Sequence, residues 1–133
     1  MLTCDILKFD SGNISRAGYY KNGIKHGQWV SFFENGIIHW IGNYLNGIEL
    51  GIWKKWYESG ELKEECYYVD NSKIPINFWD SEGNKTLENG TGFTIEKFGA
   101  NFNDVYKHHF VNGVFEKEEK IQGVVYGKFI PNK

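Results

Sequence analysis

Histidine, cysteine, serine and carboxylate side chains could do chemistry in this chain, and their spacing argues against most of it. His108 and His109 are adjacent, so on a strand they point to opposite faces and cannot hold one metal ion together. His26 and His39 are isolated, and four-ligand zinc spacing is absent. Cys4 and Cys66 have no neighbouring His with an orienting acid, which a thiol nucleophile needs, and they read as free, reduced thiols. Ser11 and Ser59 fall in turn signals, where a hydroxyl satisfies backbone donors. No Lys-Ser/Thr follows a helix-opening glycine run, so the glycine-rich segments are not phosphate loops. Asp10, Glu34, Glu58 and Asp80 read as solvated turn acids. The expectation is a non-enzymatic protein with no cofactor and no metal.

Binding is the chemistry that remains. Trp40, Tyr44, Trp56 and Tyr57 belong to an aromatic set that recurs along the chain, and Trp and Tyr are common anchors of protein interfaces. Most of that set, Trp29 and Trp53 included, reads as core, whereas Trp40 and Trp56 fall outside the regular row and are expected to be exposed. Glu58, Glu61, Glu64 and Glu65 form an acidic group that reads as a solvated strand face or as a surface for a basic partner.

The elements that must position these residues repeat. Phe9-Asp10-Ser11-Gly12, Phe33-Glu34-Asn35-Gly36 and Tyr57-Glu58-Ser59-Gly60 are the same phrase at a spacing of 24 residues. Between them, Tyr20, Asn22, Gly23, Gly27 and Trp29 recur as Tyr44, Asn46, Gly47, Gly51 and Trp53. A fixed period of this length means a repeat architecture. Asn-Gly occurs at Asn22, Asn35, Asn46, Asn89 and Asn112, and is a strong hairpin signal because a type I′ turn needs two residues at positive φ. Gly23, Gly27, Gly36, Gly47, Gly51 and Gly60 are therefore expected to make the turns. Simple alternation puts Trp29 with Phe33, and Trp53 with Tyr57, on shared strand faces.

The predicted fold is all-β: tandem hairpins of about 24 residues forming an elongated, twisted antiparallel meander. One domain over residues 1–133 is expected, with regular repeats over 9–65 and degenerate ones over 66–130. The third copy has Asn71-Ser72-Lys73-Ile74-Pro75 in place of the glycine turn, and Trp79 to Gly83 reads as the acidic turn with one residue inserted. The segment 99–104 breaks a fourth copy, and Gly123-Gly127-Phe129 opens a partial fifth ending at Ile130.

Composition agrees with β-structure: 17% aromatic residues and 16 glycines in 133 residues, against two prolines. Net charge is −2 with no basic stripe, which argues against nucleic-acid binding. The opening residues lack the pattern of a signal peptide, and no apolar run reaches transmembrane length, so a cytoplasmic protein is expected.

Residues 42–62 resemble the MORN-repeat variant of bacterial proteins, and Tyr20-Lys21-Asn22-Gly23 with Lys25-His26-Gly27-Gln28-Trp29 fits the same pattern. The chain is most similar to the YwqK-like antitoxin family. The resemblance implies hairpins laid side by side. It also implies an antitoxin or immunity protein that occludes a protein toxin, such as a nuclease or other basic toxin. The alternative it offers is a MORN-type scaffold on a membrane or a protein partner, although few Lys/Arg clusters are present to favour anionic lipid. An unpaired strand at the end of such a sheet also allows a homodimer.

Overall fold

The structure, a computed structural model, describes residues 1–98 and 104–121. The third glycine-spaced signature, the final partial copy and the break at 99–103 lie outside the described residues. Every regular element described is a β-strand. The chain packs as two compact units, Met1–Ile76 and Asn77–Lys133, where the sequence predicts one domain that loses regularity near residue 66.

The first unit is an antiparallel meander of β1 (Leu2–Lys8), β2 (Ile14–Lys21), the two-residue β3 (Ile24–Lys25), β4 (Gly27–Phe32), β5 (Ile38–Leu45), β6 (Ile48–Trp56), β7 (Leu62–Val69) and the start of β8 (Ser72–Trp79). Strand order follows chain order, with β3 pairing back on β2. The second unit contains the end of β8, then β9 (Lys85–Glu88), β10 (Thr91–Phe98), β11 (Asp104–Val111) and β12 (Val114–Ile121), again in chain order.

Two kinds of turn alternate. Asn22-Gly23, Asn46-Gly47, Asn89-Gly90 and Asn112-Gly113 each hold two successive residues at positive φ, as a two-residue hairpin needs. Asp70-Asn71 makes the same turn with φ of 52° and 63°, although it contains no glycine. The short side chains of Asp and Asn tolerate that region, so the third copy keeps the turn that the sequence reading gave up.

The other turn is a three-residue loop. The Gly36 N–H donates to the Phe33 carbonyl at 2.9 Å, and the Phe33 N–H to the Ile37 carbonyl at 2.8 Å. Only Gly36 is at positive φ, which is the geometry of a type I turn closed by a glycine bulge. Residues 9–13 and 57–61 repeat it. Asn35-Gly36 is therefore not a type I′ turn: the Asn35 side-chain oxygen accepts from the Ile37 N–H at 2.9 Å, a role for which Asn is suited without leaving the ordinary backbone region. Residues 80–84 also repeat the loop, with Asp80 in the aromatic's place, so no residue is inserted there. The Asp80 carboxylate accepts from the Asn84 N–H, the Glu82 N–H and the Asn84 amide. These bonds, the Asn84 N–H foremost, hold its pKa below the usual carboxylate value.

Each three-residue loop is accompanied by a β-bulge, with register shifts at Leu7/Lys8, Ser31/Phe32, Lys55/Trp56 and Phe78/Trp79. In the first three the extra residue lies on the strand that follows the loop, Ser15, His39 and Lys63, so alternation is reset there and not before Phe33 or Tyr57. The Phe33 ring stacks on the bulge residue His39, with centroids 4.3 Å apart.

The core of the first unit is a cross-strand row. Trp29 pairs with Gly42 and Trp53 with Cys66, and all four are buried. The Trp29 indole lies flat against Gly18 and the Trp53 indole against Gly42, where a Cβ would sit inside the ring. Glycine is required there by close approach, not by φ. The sheet thus buries large rings by alternating them with residues that have no side chain.

Candidate protein-binding surface

The two faces of the first unit differ. On the Trp face, Trp40 is half-buried and tilted against Trp53 at 5.2 Å, while Tyr44 meets it edge-on at 5.1 Å. The Lys25 ammonium sits 5.0 Å from the Trp29 ring and 5.2 Å from the Tyr44 ring. Burial, then the Glu49 carboxylate, pushes the Tyr44 hydroxyl up despite the opposing Arg16 charge. The Trp29 Nε1–H donates to the Tyr19 carbonyl at 2.9 Å, whereas Trp53 Nε1 is buried without a partner among the described residues. This face is sealed by its own rings, and Trp40 and Tyr44 help to seal it.

Trp56 and Tyr57 are half-buried where β6 enters its loop, with the Lys63 ammonium 5.5 Å from the Tyr57 ring. The predicted acidic group does not form one surface. Glu58 and Glu61 are exposed, and Glu65 pairs with Lys54 at 3.3 Å on the open face. Glu64 is only 4% exposed and is held by Lys73 at 2.9 Å and Lys55 at 3.9 Å. Burial opposes the Lys73 charge, but the Glu64 carboxylate outweighs it and raises the Lys73 pKa. Glu64 is thus a buried charge with its counter-ions, and its carboxylate is not open to a partner. In its neighbourhood Cys66 is buried, and burial, with Glu64 beside it, pushes the thiol up to about 11.

The opposite face is less covered and carries an apolar row across its first strands, with Gln28 and Asn43 beside it. The register links Ile6, Ala17, Val30, Ile41, Lys54 and Glu65 across six strands as one row. A parallel row contains the exposed pairs Cys4–Tyr19 and Ile52–Tyr67. Ile6 is 52% exposed, Ile52 47% and Tyr19 44%. These residues were not singled out by sequence reasoning, yet the period carries them. Ile6, Val30 and Lys54 are spaced by 24 residues, as are Ala17, Ile41 and Glu65. The row is apolar in the first two copies and becomes an ion pair in the third.

One end of these strands is acidic. Asp10, Glu34, Glu58 and Glu61 lie in or beside the three-residue loops, whose residues 9–13, 33–37 and 57–61 contain no Lys or Arg. The loops are stitched side by side: the Asn13 amide donates to the Glu34 carbonyl at 2.9 Å, and the Asn35 amide to the Glu58 carbonyl at 3.0 Å.

In the second unit, His108 pairs with Glu118 at 2.8 Å and His109 with Glu119 at 3.0 Å, each histidine with its own acid. The His109 hydrogen bond is the main cause of a lowered Glu119 pKa. No group of three or more metal-ligating side chains occurs among the described residues. No helix among them is long and apolar enough to cross a membrane.

The geometry coincides with a known repeat. The model of the MORN repeat variant matches residues 25–46 and 49–70, each running from just after one two-residue turn to the first residue of the next. No curated protein and no solved structure matches the chain. The two matches support a repeat scaffold of the protein-binding kind.

Proposed function

We propose that this chain is a non-enzymatic, cytoplasmic protein-binding module, an antitoxin or immunity protein that neutralises a cognate toxin by direct binding and occlusion. The open apolar face of the first unit carries the reading. A small sheet normally buries one face against another layer, and exposed contiguous apolar surface marks an interaction site. Here the Trp face is covered by its own rings, which leaves the row of Ile6, Ala17, Val30 and Ile41 to a partner. The acidic loops beside it favour a basic partner such as a nuclease, since complementary charge speeds capture.

The test is calorimetry of the purified chain with the product of the adjacent gene, together with a growth-protection assay. The expected result is a tight complex and protected cells, with Ile41→Asp weakening binding at least about ten-fold through loss of the apolar contact. No binding and no protection would overturn the reading. Flotation with anionic vesicles separates it from a membrane scaffold. The acidic loops predict no flotation, and recovery of the chain with the vesicles would favour the scaffold.

A further inference from the structure

The outermost strand of the first unit, β1, pairs only with β2 among the described residues, so its other side presents a row of unpaired N–H and C=O groups. Natural edge strands are protected by charge, Pro, bulges or shortness. β1 has little of this. It is seven residues long, contains neither Pro nor Gly, and keeps an unbroken register from Leu2 to Leu7. Leu2, Cys4 and Ile6 alternate as exposed side chains on one face, and the charges are Asp5 and the terminal Lys8. The contrast is β12, which pairs only with β11 among the described residues and carries Glu116, Lys117, Glu118, Glu119 and Lys120 among eight residues. One strand is written to repel pairing and the other to accept it.

We propose that β1 is the seam of a homodimer, pairing antiparallel with β1 of a second copy about a two-fold axis at Cys4. The register follows from charge and face. An axis perpendicular to the sheet places like-facing residues opposite one another and must pass through a residue. Centring on Asp5 would set two carboxylates face to face, and directly opposed like charges destabilise a sheet. Centring on Ile6 would set Asp5 against Leu7 and Cys4 against Lys8. Centring on Cys4 sets Leu2 against Ile6, Thr3 against Asp5, and Cys4 against its own copy. Both apolar pairs are then matched, and each Thr3 hydroxyl faces a carboxylate. The seam also continues the open face, because Ile6 pairs with Ala17 and Cys4 with Tyr19.

Sedimentation equilibrium of the full chain at micromolar concentration tests this, together with a short bis-maleimide. The expected result is a dimer that the reagent links through Cys4, since opposed Cα atoms are about 4.5–5.5 Å apart and Cys66 is buried. Cys4→Ser should lose the link and stay dimeric. Ile6→Lys, a change at an exposed position, should be folded by circular dichroism and monomeric. Thr3→Lys should tighten the dimer by about five-fold at low salt, because two cross-strand ion pairs with Asp5 are gained. A monomeric wild type overturns the proposal. So does a dimer that survives Ile6→Lys, gives no Cys4 link, or is not tightened by Thr3→Lys.

Discussion

The repeats of the first unit and those of the second use the same turns but different cores. Over residues 9–65 the strands are held in step by indoles lying on glycines, Trp29 on Gly18 and Trp53 on Gly42. Among the described residues of the second unit the buried side chains are Phe78, Leu87, Thr94 and Val105, with Phe78 paired to Leu87. The loop glycines Gly12, Gly36 and Gly60 keep a spacing of 24 residues, and Gly83 follows at 23. The two-residue turns at Asn22, Asn46 and Asp70 also keep 24, but Asn89 follows after 19, and β9 is only four residues long. One period after Trp53 the chain has Asn77, and one period after Gly42 it has Cys66. Indole and glycine are lost together. A flat ring on a bare backbone fixes strand offset closely, whereas aliphatic pairs tolerate shorter strands, so the strict period belongs to the Trp-on-Gly packing.

Removing an indole should break the comparison most. Trp29→Ala is expected to cost about 3–5 kcal/mol, the range for a large buried aromatic, read as a lower urea midpoint. Next comes alkali. Burial raises the Cys66 thiol from 9.0 to about 11, so the folded chain favours the protonated form. That contribution is fully present below about pH 9, amounts to roughly 2–3 kcal/mol, and is lost as pH rises through about 11. The raised Lys73 pKa acts in the same direction. Cys66→Ala should flatten the loss of stability in urea melts between neutral and alkaline pH; an unchanged slope would refute the thiol's part in it.

Gly42→Ala should destabilise by about 1–3 kcal/mol, because its methyl meets the Trp53 ring and the core is overpacked. Cys66→Ala, at the position one period on, should cost only about 1 kcal/mol at neutral pH, as for a single buried group. Equal losses at the two sites would remove the Trp-on-Gly explanation of the period. The turns complete the series. Gly36→Ala forces a side chain to positive φ and should cost about 1–2 kcal/mol. Asn71→Gly should leave the chain unchanged or up to about 1 kcal/mol more stable by relieving the same strain, and a clear loss there would contradict the Asp70-Asn71 turn.

The turns at Gly23, Gly36, Gly47 and Gly60 were legible in the residues, because αL backbone selects Gly, Asn and Asp whatever surrounds it, whereas Gly27 and Gly51, expected in turns, hold positive φ inside β4 and β6. Asn35 is the instructive exception. Its dipeptide matches the type I′ signal, but the equivalent positions are Ser11 and Ser59, and Ser is not an αL residue. Alignment of the copies would have separated the two turn types. The candidate surface was legible only in part. Trp40 and Tyr44 support the sealed face, Trp56 and Tyr57 are half-buried where β6 enters its loop, and Glu64 is buried with its lysines. The open row of Ile6, Ala17, Val30 and Ile41 consists of ordinary strand residues, and nothing in their identity distinguishes a covered face from an open one.

The sequence by itself determined that this chain is a run of antiparallel hairpins, where most of them turn, and how far the strict period extends. Those are local consequences of backbone conformation and of identical residues at fixed spacing. Only the tertiary structure decided which face of the sheet closes. That outcome depends on indoles reaching across to glycines on the neighbouring strand, on bulges that reset alternation at every second turn, and on whether a glutamate meets a lysine from the next strand or water.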